Sequence, residues 1–283
     1  MRIGICCIVK QENLYLRDWV KYYHNMGITK IVLYDNNDVD GEYPQQVIGD
    51  YIANGFVDYK NARGFYRYQV EAYNQCYNEY IDEFDWIGFL DIDEYWYLSP
   101  HLTIDEFLSE ERFPNAMGLF LNWLCYGDGG MLHYENKPVQ ERFKTPSLPI
   151  DSVPNAVKKC FVKCNKDFHL VMTDANGYYG EKNIDGKEYI TYTEDGDVFR
   201  PEIKRTYQVS YIKHYRTLTI EEFLYRRFGR GGYADWGSPY RKDTIMNMFW
   251  EQNEWTQEKQ DIIDRFFENF EMKEDVPDTC IYF

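Results

Sequence analysis

The sequence contains no long apolar run. No stretch approaches the roughly 18 uninterrupted apolar residues that a membrane-spanning helix needs. The opening Met1-Arg-Ile-Gly-Ile-Cys-Cys-Ile-Val-Lys10 is too short for a signal core and has no small-residue cleavage site, so it reads as a buried strand. Positive charge is also scarce: 31 Lys and Arg face 47 Asp and Glu, a formal net charge of −16. A chain with a sequence pI ≈ 4.8 repels polyanions at long range, which argues against nucleic acid as a partner. The seven cysteines (Cys6, Cys7, Cys76, Cys125, Cys160, Cys164 and Cys280) are odd in number and lack C-x2-C spacing, so they read as reduced thiols of a cytosolic protein. Cys160 and Cys164 lie in a strand-like stretch, where packing is favoured over metal binding. Glycine is missing from Lys10-Gln-Glu-Asn13, the turn after the first strand, where a dinucleotide-binding protein needs it for a pyrophosphate. No G-x4-G-K-[ST] loop occurs either. A Rossmann oxidoreductase and a P-loop NTPase are both disfavoured.

What remains is a globular α/β pattern. Hydrophobic residues make up 44% and charged residues 28%, a balance that predicts a packed core rather than disorder. Strand and helix periods alternate through the first hundred residues. Ile3 to Val9 reads as a strand, and Leu16, Trp19, Val20, Tyr23 and Met26 form a helical stripe stopped by Gly27. Ile31 to Tyr34, Phe56 to Tyr59 and Trp86 to Leu90 follow as strands. The helices between them carry Val47, Ile48, Tyr51 and Ile52, then Val70, Tyr73, Tyr77 and Ile81 within Tyr66 to Phe84. This βαβαβαβ order predicts a mostly parallel sheet flanked by helices. Further strands are expected at Ala116 to Cys125, Lys159 to Lys163, Tyr189 to Tyr192 and Tyr207 to Ile212. Capping boxes at Thr103-Ile-Asp-Glu106 and Thr219-Ile-Glu-Glu222 open helices, the second running through Phe228. The last forty residues read as amphipathic helix with Ile262, Ile263, Phe266, Phe267 and Phe270 on one side. No linker or repeat divides the chain, so a single domain over 1–283 is expected, residues 1–100 forming one half and 101–283 the other.

Ligands of an open α/β sheet bind outside the carboxyl ends of its strands. The fourth strand there delivers Asp91-Ile92-Asp93. Read as strand, the two carboxylates share a face while Ile92 packs the other way, and their repulsion calls for a cation. Oxygen ligands suit Mg2+ or Mn2+, which keep positions open for phosphate oxygens. The plainer alternative is a solvated acidic turn. His214, after a strand, could offer an imidazole to the same ion and would favour Mn2+ somewhat. Arg226-Arg227-Phe-Gly-Arg230-Gly-Gly is a local positive patch, read either as a solvated helix end or as a loop that closes over phosphate.

The run Cys7 to His24, then Tyr34-Asp-Asn-Asn37, Gln69 with Ala72-Tyr-Asn74, Trp86 to Tyr95 around the D-x-D tripeptide, Val139-Gln-Glu-Arg-Phe143 and His214-Tyr-Arg-Thr217 resembles the family 92-like and family 2-like glycosyltransferases of the GT-A fold. These matches are ordered from residue 5 to about 232. Gln11 and Asp128 depart from the usual pattern. The resemblance implies a GT-A fold, with a nucleotide-sugar-binding half followed by an acceptor-binding half. It implies a nucleotide-diphosphate sugar donor, a UDP-sugar such as UDP-galactose, bound around Val9, Glu12, Asp35, Gln69, Asp91, Ile92 and Arg230. It also implies Mn2+ or Mg2+ at Asp91, Asp93 and His214, and an oligosaccharide or lipid-linked glycan acceptor in surface polysaccharide synthesis. With no backbone cradle, the cation would carry the charge of the departing diphosphate. Similar enzymes invert the anomeric centre and need a carboxylate base, for which Glu141 and Asp128 are the candidates. Each has a structural alternative: Glu141 could pair with an Arg, and Asp128 could form an Asx-turn. Trp123, Tyr126, Tyr178, Tyr179, Tyr233 and Trp236 could stack on sugar rings. Residence in the cytoplasm, at the inner face of a membrane through a lipid-linked acceptor, fits this picture. A sugar-phosphate nucleotidyltransferase and a non-catalytic carbohydrate-binding module on the same fold are the alternatives.

Overall fold

In a computed structural model, the chain is described over residues 1–200, 206–229 and 242–270. The described residues divide into two compact units, one built from Met1–Leu124 and Ile150–His214, the other from Cys125–Pro149 and the described residues from Tyr215 onward.

The first unit follows the alternating pattern. β1 (Ile3–Val9), α1 (Asn13–Met26), β2 (Lys30–Asp35), α2 (Gln45–Ala53), β3 (Val57–Asn61), α3 (Gln69–Tyr80) and β4 (Trp86–Phe89) succeed one another. β1 is buried almost throughout, as a strand covered on both faces must be. α1 buries Leu16, Trp19, Val20 and Tyr23, and Gly27 ends it at φ 92, where a Cβ would be strained. α3 is shorter than its apolar stripe suggests. Arg67 adopts φ 50, and the Asn36 side-chain amide donates to the carbonyls of Ala62 and Phe65, each at 2.8 Å, which holds the preceding loop out of the helix.

β4 is followed by β5 (Glu94–Leu98), α4 (Ile104–Phe107) and β6 (Ala116–Cys125). β7 (Lys158–Lys163) comes next, then the small pairs β8 (Val171–Met172) with β9 (Tyr178–Tyr179) and β10 (Asn183–Ile184) with β11 (Lys187–Glu188). β12 (Ile190–Thr193) and β13 (Ser210–His214) complete the strands. β13 starts three residues later than the apolar pattern suggests, after Tyr207 at φ 54. The main sheet runs β3-β2-β1-β4-β7-β6-β13-β5, with β12 on β6. Its first four strands are parallel, and β7 enters antiparallel to both β4 and β6. Gly88 in β4 is required by this packing, because a Cβ there would lie 2.4 Å from the Phe161 ring of β7. The chain steps from β1 to β2 and β3 on one side and returns to β4 on the other. The crevice between the carboxyl ends of β1 and β4 is therefore the switch point where open sheets bind ligands.

The second unit contains α5 (Val139–Arg142), α6 (Ile220–Leu224), a π-helical turn over Tyr225–Gly229, α7 (Lys242–Trp250) and α8 (Gln257–Asn269). Its core joins Ile220, Phe223, Leu224, Phe228, Phe249 and Ile263. Glu222 closes the capping box of α6 with Thr219 and also receives a two-pronged ion pair from Arg142, both contacts at 2.8 Å. The predicted C-terminal helix is interrupted between α7 and α8, and residues 271–283, with Cys280, lie outside the described residues. The other six cysteines are free, and five of them are buried. No helix among the described residues is long and apolar enough to cross a membrane.

Candidate active site at the β4–β5 turn

β4 ends at Phe89, so Asp91 and Asp93 lie on a turn leading into β5, rather than on the strand face their spacing suggests. The turn is tied down at its first residue, where the Asp91 backbone N–H donates to Glu94 Oε2 at 2.8 Å. The two aspartates have different surroundings. Asp91 Oδ1 accepts from Gln69 Nε2 at 2.9 Å and from the Tyr73 hydroxyl at 3.4 Å, and its Oδ2 lies 2.7 Å from Lys159 Nζ. Lys159 comes up from β7 with its side chain wholly buried, and its ammonium also reaches Glu94 Oε2 at 3.4 Å and the Ala175 carbonyl at 3.2 Å. The Asp91 side chain keeps 35% of its surface exposed, so the lysine sits beneath a carboxylate that faces outward.

Asp93 instead faces His214, with Oδ1 and Nε2 3.7 Å apart. The imidazole lies against the Trp123 ring, their centroids 3.9 Å apart. His214 reaches this position because β13 pairs antiparallel with β5 and sets His214 opposite Glu94. It is the last residue of that strand.

Electrostatics follow from the burial. Burial pushes the Glu94 carboxyl well above its ordinary range, the nearby Lys159 offsets this in part, and Asp91 and Asp93 push the same way as burial. Burial alone would lower the Lys159 ammonium, but the charges of Asp91 and Glu94 outweigh it and raise its pKa, so it stays protonated. Burial and the Asp91 charge push the Cys7 thiol up, which leaves it inert.

At the neighbouring strand ends, Val9 is buried and its carbonyl accepts from Asn36 N–H at 2.9 Å. The Glu12 carbonyl receives the N–H groups of Tyr15 and Leu16, each at 2.9 Å, in the first turn of α1. Asp35 is fully enclosed. One of its oxygens accepts from the Tyr59 hydroxyl at 2.7 Å and Arg63 at 2.8 Å, the other from the Asn37 amide at 2.6 Å and Asn37 N–H at 3.1 Å. These four donors occupy the sites a carboxylate has. The structure thus gathers Gln69, Asp91, Ile92, Asp93 and His214 about one turn, with Val9, Glu12 and Asp35 on the adjoining β1 and β2 ends. Among the described residues no group of three or more His, Cys, Asp or Glu side chains is arranged to hold a metal ion.

The profile of glycosyltransferase family 92 matches residues 3–266 of the sequence. The chain belongs to glycosyltransferase family 92. A glycosyltransferase family 92 protein of Ricinus communis is 24% identical over 173 residues, covering 59% of this chain and 31% of its own length. A family 92 protein of Arabidopsis thaliana is 26% identical over 124 residues, covering 44% of this chain and 21% of its own. The chain therefore spans less than a third of the length of these curated relatives. Among solved structures, S. aureus TarS 1–349 overlaps 58% of this chain and 47% of its own at a TM-score of 0.36 and 11% identity. The mannosyltransferase PcManGT from Pyrobaculum calidifontis, in complex with GDP-Man and Mn2+, overlaps 42% of this chain and 34% of its own at a TM-score of 0.33 and 9% identity.

Of the remaining candidates of this family 92 chain, Glu141, Asp128 and Tyr126 lie in the second unit, and Tyr178 and Tyr179 in the first. Glu141 is exposed at the end of α5, and the ion pair of its neighbour Arg142 goes to Glu222. Asp128 is buried and held 2.6 Å from Lys259 Nζ, and it accepts from Gly130 N–H at 2.8 Å, which is the Asx-turn. Arg226 and Arg227 are buried rather than solvated, while Arg230, Tyr233 and Trp236 lie outside the described residues. Tyr126 packs on Tyr215 with ring centroids 5.0 Å apart, Tyr178 packs on Phe120 at 5.5 Å, and Tyr179 is exposed. Sequence reasoning missed Lys159 and Glu94. The signal for Lys159 was a lysine at the start of an otherwise apolar run, Lys159-Cys-Phe-Val162.

Proposed function

We propose that this chain transfers a glycosyl group from a nucleoside-diphosphate sugar, with uridine as the base, to a glycan hydroxyl, with inversion at the anomeric carbon. The observation that carries the reading is the convergence of Asp91, Asp93 and His214 at the β1–β4 switch point of a chain matched by family 92 over residues 3–266. Family membership leaves the nucleotidyltransferase alternative without support.

A divalent cation, Mn2+ ahead of Mg2+ because an imidazole takes part, fits Asp93 and His214: a carboxylate and an imidazole 3.7 Å apart, one position short of the three-residue cage that a protein-only site would need. When bound, such an ion supplies positive charge against the leaving diphosphate. The protein's own groups do the rest. Trp123 fixes the plane of His214, and Gln69 and Lys159 orient the Asp91 carboxylate outward toward donor hydroxyls. Asp35, whose acceptor sites are filled, serves the donor through the loops it holds. Of the two base candidates Glu141 is favoured, because Asp128 is committed to Lys259 and Gly130. The acceptor is an oligosaccharide or lipid-linked glycan of a surface polysaccharide, met at the cytoplasmic face of a membrane.

The test is a panel of nucleotide sugars assayed for nucleoside diphosphate release with and without EDTA. Release from a uridine donor, abolished by EDTA and restored by Mn2+, is the expected result. No release from any donor, together with no binding of UDP by calorimetry, would leave the non-catalytic carbohydrate-binding module standing instead.

A further inference from the structure

We propose that Lys159 is a built-in counter-cation that keeps the Asp91–Asp93 turn from holding a divalent ion until a nucleotide diphosphate arrives with it. The proposal rests on the glycosyltransferase reading only for the identity of that diphosphate.

Three observations support it. The Lys159 side chain is wholly buried, although a lysine is among the residues least often enclosed, and its ammonium lies 2.7 Å from Asp91 Oδ2. Its partner carboxylate is 35% exposed at the switch point, so the positive charge sits under a surface that a ligand can reach. The third is the count of ligands. With Lys159 Nζ 2.7 Å from one Asp91 oxygen and Gln69 on the other, a cation at Asp91 would meet a fixed ammonium, so the turn offers it chiefly Asp93 and His214, and no group of three ligating side chains exists among the described residues. A hard divalent ion wants about six oxygen ligands, so two side chains hold it weakly, and a fixed ammonium nearby repels it further. Diphosphate oxygens supply both the missing ligands and the missing negative charge. Binding of metal and donor is thereby made interdependent, and the empty site is kept from capturing an ion on its own.

Removing the lysine should release Asp91 as a third ligand. The experiment follows the free Mn2+ resonance signal as protein is titrated, without and with UDP, for wild type, K159R, K159M, K159Q and K159M/D91N, each first checked for a cooperative thermal transition. Wild type and K159R should bind Mn2+ weakly alone. K159M and K159Q should bind it at least about tenfold more tightly without UDP. The double variant lacks the ammonium but also the Asp91 ligand, so it should return to the wild-type level. A variant that is merely damaged would not gain affinity. The proposal is overturned if K159M and K159Q show no gain, if the gain survives in K159M/D91N, or if K159R gains as much as they do. It is also overturned, independently of any variant, if wild type alone binds Mn2+ more tightly than about 10 μM. Failure of UDP to tighten Mn2+ binding in wild type would instead count against the donor reading, and the lysine result without UDP would still be read by itself.

Discussion

Two aspartates stand at the ends of parallel strands that flank β1, Asp35 as the last residue of β2 and Asp91 just after β4, and they are treated in opposite ways. Asp35 is wholly buried and accepts four hydrogen bonds, and its partner Arg63 also donates to the carbonyls of Asp38, Gly41 and Glu42 at 2.8, 2.9 and 2.7 Å. That carboxylate is spent on fixing the loops after β2 and β3. Asp91 holds a comparable charge partner in Lys159, yet keeps a third of its side chain open to a ligand. Position at a strand end therefore does not by itself make a carboxylate a ligand. The number of donors the fold has already aimed at it decides.

The contrast can be broken by substitution. Replacing Asp35 with Ala leaves the largely enclosed Arg63 guanidinium without its carboxylate and should cost about 2 to 3 kcal/mol, seen as a lower urea midpoint at unchanged slope. A stable D35A protein with lost donor binding would reverse the roles assigned to the two aspartates. Asp93→Asn should leave that midpoint within about 1 kcal/mol of wild type while lowering turnover about 10²- to 10³-fold, the usual scale for losing one electrostatic element of the transition state. Steady-state release of nucleoside diphosphate reads it. Gln69→Ala removes a donor to Asp91 rather than a group at the reacting atoms, so a loss of about 10- to 100-fold is expected, carried by kcat/KM.

The smallest effect concerns Glu94, beneath the Asp91 turn. In the unfolded chain it ionises near its ordinary value of 4.5, and folding raises it because of burial. Between the two values the folded state holds more protons than the unfolded one. Glu94's contribution to stability is therefore complete below the unfolded value and lost as pH rises toward the folded one. Glu94→Gln should flatten that decline as pH rises above the unfolded value, measured as a smaller shift of the urea midpoint. An unchanged slope with pH would mean that Glu94 is ionised when folded, and that the two strand ends differ less in charge than their surroundings suggest.

Much of the sheet was legible in the residues. The continuous apolar run of β1, the stripe of α1 with its Gly27 stop and the strand Ala116–Cys125 all fall where their periods place them. β5 was not legible, because Glu94-Tyr-Trp-Tyr-Leu98 is short, follows directly on an acidic turn, and shows neither alternation nor a turn signal to set it off. The D-x-D tripeptide stood out by its chemistry. The unequal treatment of its two carboxylates did not, because Gln69 and Lys159 lie 22 and 68 residues away from Asp91 in the chain. Glu141 and Asp128 looked equivalent as acidic residues in loops, and only Lys259, 131 positions beyond Asp128 in number, separates them.

From the residues alone came the alternation of strands and helices through β4, the D-x-D tripeptide and the family, because periodicity, capping and short motifs are written in neighbours a few positions apart. Pairing β13 with β5, which sets His214 beside Asp93, and bringing β7 against β4, which drives Lys159 under Asp91, belong to the folded molecule. Those contacts depend on strand register across the sheet, a choice made jointly by every side chain that the two faces must bury.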